Sequence, residues 1–154
     1  MYVFSVVEKS RFLLKACHEF DCTIVVGSEE AAQTFKTYKQ ILMKSSAVFH
    51  TMLSGEFKEG LENHITLEHI TPTVFKHFLN YLYSDIKAFE PLEFQIVKDI
   101  YDFGKLYLVD ELCEDIESEL LSDACTYDFL ELFGFAYLIN NEQLMLKCAT
   151  VNHF

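Results

Sequence analysis

Alternation of apolar and polar residues, the mark of a strand, is confined to the first seventy positions of this chain. In FDCTIVVG (20–27), Phe20, Cys22, Ile24 and Val26 alternate with Asp21, Thr23 and Val25, and Gly27 closes the run. TFKTYK (34–39) follows the polar turn SEEAAQ and reads as an antiparallel partner. HITLEHI (64–70) returns to period two, with Ile65 and Leu67 on one face. Elsewhere the period is helical. Strands early and helices late predict an α+β chain, not an alternating βαβ one.

The helical stretches have legible faces and ends. Residues 8–18 carry Phe12, Leu13 and Ala16 at helical spacing. KQILMKSSAVFHTML reads as two short helices broken at Ser45–Ser46, either of which can cap the second, whose stripe is Val48, Phe49, Met52 and Leu53. Thr71 before Pro72 pairs a capping hydroxyl with proline at the first helical position, and Phe75, Phe78, Leu79 and Leu82 form the buried stripe behind it. DIKAFEP (85–91) reads as a loop. Helices are expected over 92–107 (Ile96, Val97, Ile100, Phe103) and 109–121 (Val109, Leu112, Ile116, Leu120). From Thr126 a helix pair follows, striped by Phe129, Leu132, Phe133 and Ala136, then by Leu144, Cys148 and Val151. Asn140 with Gln143 supplies a start for the last helix, which is expected to run into a larger helical region.

A chain of 154 residues fits one domain with a small appendage. With 51% apolar residues it can bury a core without staples. The formal net charge of −12 argues against nucleic acid or an anionic membrane as the main partner, since phosphate contacts need clustered Lys and Arg. No apolar run approaches the roughly 20 residues of a membrane span. The start, MYVFSVVEKSRFLLK, lacks a basic leader and a small-residue cleavage site. Five scattered cysteines (Cys17, Cys22, Cys113, Cys125, Cys148) suit a reducing cytoplasmic or nuclear setting better than a disulfide framework.

Little in the chain carries catalytic chemistry. CHEFDC groups Cys17, His18, Asp21 and Cys22, which are ligand types for zinc, but no second Cys/His pair stands at finger spacing. Buried structural cysteines are the expectation, with no metal and no cofactor. His64 and His69 bracket a strand, and their offset puts them on opposite faces. No glycine-rich phosphate loop or G-x-S-x-G elbow occurs, and no carboxylate pair stands apart from solvated helix faces such as DELCEDIESE. A non-catalytic protein is expected. A small acidic enzyme would show itself by turnover that one carboxylate substitution abolishes.

The ordered set of segments resembles the BTB/POZ family over roughly residues 8–122. FDCTIVVG matches its opening strand, FKTYKQIL its phenylalanine strand and following helix, and SSAVFHTML its serine–x–x–Phe helix. SGEFKE is similar to its acidic elbow, ITLEHITPTVF to its strand and Thr–Pro passage, and LNYLYSD to its helix end. Tyr38 stands where the family commonly has histidine, and reads as a core substitution whose hydroxyl needs a partner. The resemblance implies a small, mostly antiparallel sheet flanked by helices in residues 1–124. It implies the start of a BACK-like or 3-box helical extension in 125–154.

What the resemblance implies about function centres on the elbow. In family members that bind cullin-3, the elbow carries a hydrophobic–x–Glu motif, here Phe57–Lys58–Glu59. The expected role is a homodimeric substrate receptor of a cullin-3 RING ubiquitin ligase. Phe57 and Glu59 would lead the cullin contact, flanked by Leu53 and Tyr107. Substrate would be held by a region outside this chain. Phe12, Leu13 and Ala16 would form the dimer face, with the N-terminal YVFSVV as a further strand across it. Asp21 and Lys39 match the acidic and basic positions beneath the dimer groove, and if buried should pair. The alternative is the dimerisation module of a transcription regulator, whose groove recruits corepressors.

Overall fold

The computed structural model describes residues 19–83 and 92–151. The expected first helix, with Phe12, Leu13 and Ala16, lies outside them, as do YVFSVV and the loop DIKAFEP. Three strands come first: β1 (Cys22–Val26), β2 (Gln33–Thr37) and, after three short helices, β3 (His64–Leu67). Those helices are α1 (Lys39–Ser45), α2 (Ala47–Leu53) and α3 (Lys58–Glu62). Then follow α4 (Pro72–Tyr83), α5 (Phe94–Leu106), α6 (Asp110–Ser122), α7 (Phe129–Leu138) and α8 (Glu142–Val151).

The strand order is β2-β1-β3. β1 and β2 pair antiparallel, with Ile24 opposite Phe35, as the short turn between them requires. β1 and β3 pair parallel, with Ile24 opposite Ile65. The described sheet is thus divided evenly between the two modes, because β2 brings the chain back to the end where β1 began and α1–α3 carry it across to the other edge of β1 at that end. Period two is realised from Cys22 onward, where Cys22, Ile24, Val26, Ile65 and Leu67 are buried, whereas Phe20, expected on the same face, precedes β1 and is 52% exposed.

Local chemistry sets the helix boundaries. Ser46, not Ser45, caps α2, accepting the Phe49 N–H at 3.0 Å, and its hydroxyl donates to the Tyr107 carbonyl. Ser45 turns back onto the Leu42 carbonyl at 2.9 Å. Thr71 Oγ1 accepts the Val74 N–H at 3.4 Å, a long cap where the Thr–Pro pair predicts one. Asn141, rather than Asn140, caps α8 by accepting the Leu144 N–H at 2.9 Å. Asn140 is instead left-handed (φ 55) and closes α7, with the Asn141 N–H reaching the Ala136 carbonyl at 2.9 Å. Leu108 (φ 53) closes α5 in the same manner, the Val109 N–H donating to the Gly104 carbonyl at 2.8 Å.

The core joins α2, α4 and α5 through rings. Phe49, Phe75 and Phe78 have no exposed surface and Phe103 almost none. Phe49 lies 6.1 Å from Phe78 and 4.9 Å from Tyr107, and Phe103 is 4.8 Å from Phe78. Such offset and tilted pairs add about 0.5–1.5 kcal/mol beyond burial. A second set, Phe94–Phe135 (5.8 Å) and Tyr101–Phe135 (5.2 Å), docks α7 on α5. Replacing Phe49 by alanine should cost about 3–5 kcal/mol of stability, because the void opens where three helices meet. Urea denaturation of the variant beside the parent protein measures it.

Candidate functional site

The stretch between α2 and β3, Ser54–Asn63, is a compact elbow. Gly55 is left-handed (φ 96), and a Cβ on Gly60 would stand 2.5 Å from the Gly55 nitrogen. Only glycine fits that crossing. Phe57 caps α3 with extended backbone (φ −102, ψ 161), and its carbonyl accepts the N–H groups of Gly60 and Leu61, both at 3.1 Å. The Phe57 side chain is 49% exposed and the side chain of Leu61, one turn on, 73% exposed. Glu59 is half-buried in the first turn of α3, where a carboxylate suits the partial positive charge of the helix start. Lys58 and Glu62 form an exposed pair at 4.0 Å, which contributes little.

The four residues expected to meet a partner do not share one environment. Phe57 is accessible and Glu59 partly so. Leu53 has no exposed surface, so it holds α2 to the core and offers nothing to a partner, contrary to its expected flanking contact. Tyr107 is half-buried, its ring stacked 4.9 Å from Phe49 and 4.6 Å from Phe103, and burial raises its hydroxyl pKa. What the α5–α6 corner does present is Leu106 (63% exposed) and Leu108 (53%). Sequence reading missed these two and Leu61. Leu61 interrupts a polar segment, which was a usable signal; Leu106 and Leu108 flank the half-buried Tyr107 in an apolar run that gives no local sign of which residues face out.

Asp21 and Lys39 meet differently from a buried ion pair. Asp21 is exposed, and its Oδ1 accepts the backbone N–H of Lys39 at 2.7 Å, supplying the cap that Tyr38 does not give α1. The Lys39 ammonium is directed instead to the Gly60 carbonyl at 3.2 Å and Asn63 Oδ1 at 2.9 Å. Tyr38 is buried with its ring 5.0 Å from Phe20, and its N–H donates to the Tyr83 hydroxyl at 3.3 Å.

A second region joins the C-terminal pair to the rest. Glu117 accepts the Tyr101 hydroxyl at 2.7 Å on one oxygen and the Asn141 side-chain amide at 2.8 Å on the other. Burial, then this bond to Glu117, raises the Tyr101 hydroxyl well above the ordinary phenol range. Beside it lies an open groove of about 440 Å³, lined by Lys98, Tyr101, Lys105, Glu117, Leu138 and Ile139. Its lysines lie over rings, Lys98 over Phe94 and Lys105 over Tyr101, each 5.2 Å from the centroid. α7 also exposes Leu130, Phe133, Tyr137 and Leu138, and α8 exposes Leu146.

Among the described residues no three His, Cys, Asp or Glu side chains converge to hold a metal; Cys17 and His18 lie outside them. Cys22 and Cys113 are buried, and burial pushes each thiol up to about 11, so both are protonated at neutral pH and poor nucleophiles. His64 and His69 are both exposed. No helix among the described residues is long and apolar enough to cross a membrane.

The family model for the BTB/POZ domain matches residues 12–124. BTB/POZ domain-containing protein 6-B of Danio rerio is 30% identical over 128 residues, which are 83% of this chain and 26% of that protein. TD and POZ domain-containing protein 1 of Mus musculus is 34% identical over 64 residues, 42% of this chain and 16% of that protein. The matched stretch is thus about a quarter or less of either relative. Among solved structures, the BTB (Tramtrack and Bric a brac) domain of human gigaxonin superposes with a TM-score of 0.56 at 22% identity. That match covers 78% of this chain and 97% of the other, and it shows the shared α+β fold.

The division of labour along α2 and α3 is testable by two leucines. Leu53→Ala should cost about 2–5 kcal/mol of stability. Leu61→Ala should stay within about 0.5 kcal/mol of the parent protein. Urea midpoints for the two variants decide it.

Proposed function

The chain belongs to the BTB/POZ family of protein–protein interaction modules, and on that footing we propose that it is the homodimeric substrate-receptor subunit of a cullin-3 RING ubiquitin ligase. It forms no covalent bonds itself. Residues 1–124 are the BTB/POZ domain and 125–154 begin a BACK-like or 3-box extension, a division supported by the break between α6 and the α7–α8 pair. Dimerisation through Phe12, Leu13 and Ala16 rests on the family likeness. Substrate is held by a region outside this chain, in a cytoplasmic or nuclear setting that suits its free cysteines.

The observation that carries this reading is the half-exposed Phe57 ring on a rigid elbow, in the hydrophobic–x–Glu motif. Roughly 1.5–3 kcal/mol separates a fully buried phenylalanine from an exposed one, and part of that is withheld until a partner covers the ring. Aromatic side chains set in a polar rim are the usual binding hot spots. Glu59 supplies an acceptor two residues on, able to fix register through a charge-assisted hydrogen bond. Leu61 widens the apolar contact, and Leu106 and Leu108 offer a second one at the corner that Ser46 and Phe49 tie to the start of α2.

Phe57→Ala should leave the melting temperature and dimer mass unchanged while weakening binding to the cullin-3 N-terminal domain about thirtyfold or more. Calorimetric titration and thermal melting on the same sample read both quantities. A large loss of melting temperature with normal affinity in the folded fraction would make Phe57 a core residue. If the unaltered protein binds no cullin-3, the ligase reading is lost and corepressor recruitment takes its place.

A further inference from the structure

The elbow owes its shape to a residue far from it in sequence. α3 has five residues, too few to hold a helix on its own. Its last turn leaves carbonyls without intrahelical partners, and the Gly60 carbonyl receives the Lys39 ammonium at 3.2 Å. The same ammonium donates to Oδ1 of Asn63 at 2.9 Å, and Asn63 ends α3 in the left-handed region (φ 51). A cation at a helix C-terminus also opposes the partial negative charge there. Lys39 is itself anchored, because Asp21 holds its backbone N–H at 2.7 Å. One lysine thus binds two points of the elbow to the start of α1.

We propose that Lys39 is a positioning residue for the Phe57 anchor: its ammonium closes the C-terminus of α3 and fixes the direction in which the Phe57 ring leaves the elbow. This rests on reading the elbow as a docking site. Phe57 stands at the other end of the same single turn, so fraying at Gly60 and Asn63 releases the N–H groups that its carbonyl holds. A ring that samples several directions must be ordered on binding, which costs affinity without removing a contact. The likeness to dimer-groove residues assigned Lys39 to the subunit interface; the geometry gives its head group to the elbow.

The test uses Lys39→Met, which keeps the apolar stem and removes the donors, and Lys39→Arg, which keeps donors and charge. Amide hydrogen exchange at Gly60 and Leu61 reports the elbow, and exchange at Ile24 and Val26 reports the sheet. Lys39→Met should speed exchange at Gly60 and Leu61 about tenfold, the scale of one hydrogen bond to a charged group, with the sheet unchanged. Its affinity for the cullin-3 N-terminal domain should fall by about the same factor, and Lys39→Arg should restore both. Should Lys39→Met not fold, Asn63→Gly keeps the left-handed backbone and removes one acceptor, and must show the same direction of change. Unchanged exchange at Gly60 and Leu61 overturns the proposal. So does faster exchange with undiminished cullin-3 affinity. If the parent protein binds no cullin-3 while exchange responds as expected, the partner assignment fails and the closing of the elbow by Lys39 stands.

Discussion

Phe49 is where the directions of three helices are settled. Burial alone would keep the ring inside in many orientations, since the hydrophobic effect is not directional. Direction comes from what surrounds it: Phe78 of α4, Phe103 of α5, and Tyr107 stacked with an interplanar angle of 18°. Ser46 completes the arrangement by capping α2 through its oxygen while its hydroxyl hydrogen goes to the Tyr107 carbonyl. A helix of seven residues, about 10 Å long, is held at one end by polar bonds and along one side by rings. The elbow that leaves its other end therefore starts from a fixed platform.

A carboxylate does for the C-terminal pair what those rings do for α2. Glu117 divides its two oxygens between α5 and the turn into α8. Asn141 in turn uses its amide nitrogen on Glu117 and its amide oxygen on the helix it caps. The chain of bonds leaves little freedom for α8 to rotate against α6, and Phe135, wedged against Phe94 and Tyr101, fixes α7 likewise. Elbow and C-terminal pair thus both hang on the same helix, α5.

Much of this was legible where period and chemistry agree. The strand alternation at Ile24, Val26, Ile65 and Leu67, the Phe75–Phe78–Leu79–Leu82 stripe and the Thr71–Pro72 start are local, and the structure realises each. α7 was misread in part, because FLELFGFAYL is apolar on nearly every side. Periodicity then cannot choose a face: Phe133 was placed inward, whereas Leu132, Phe135 and Ala136 are buried and Phe133 is 37% exposed. The parallel pairing of β3 depends on a crossover, and the destination of the Lys39 ammonium on a contact twenty-one residues away. Neither leaves a local trace. Within the elbow region, the Phe57 motif was visible, and the burial of Leu53 was legible in the α2 stripe; only its flanking role, taken from the family likeness, did not fit that stripe.

The outward side of α7 sets a condition on how copies of this molecule behave in concentrated solution. Leu130, Tyr137 and Leu138 are each more than two-thirds exposed, as is Leu146 on α8. What opposes contact between two such faces is the surplus of acidic over basic groups, a formal −12. That repulsion reaches only about 8 Å at physiological salt and vanishes near the isoelectric point of about 4.8, where carboxylate and basic charges balance. Colloidal stability in this protein is therefore a balance between a greasy stripe and a screened charge cloud. High salt, or a pH near that isoelectric point, tilts the balance toward clustering.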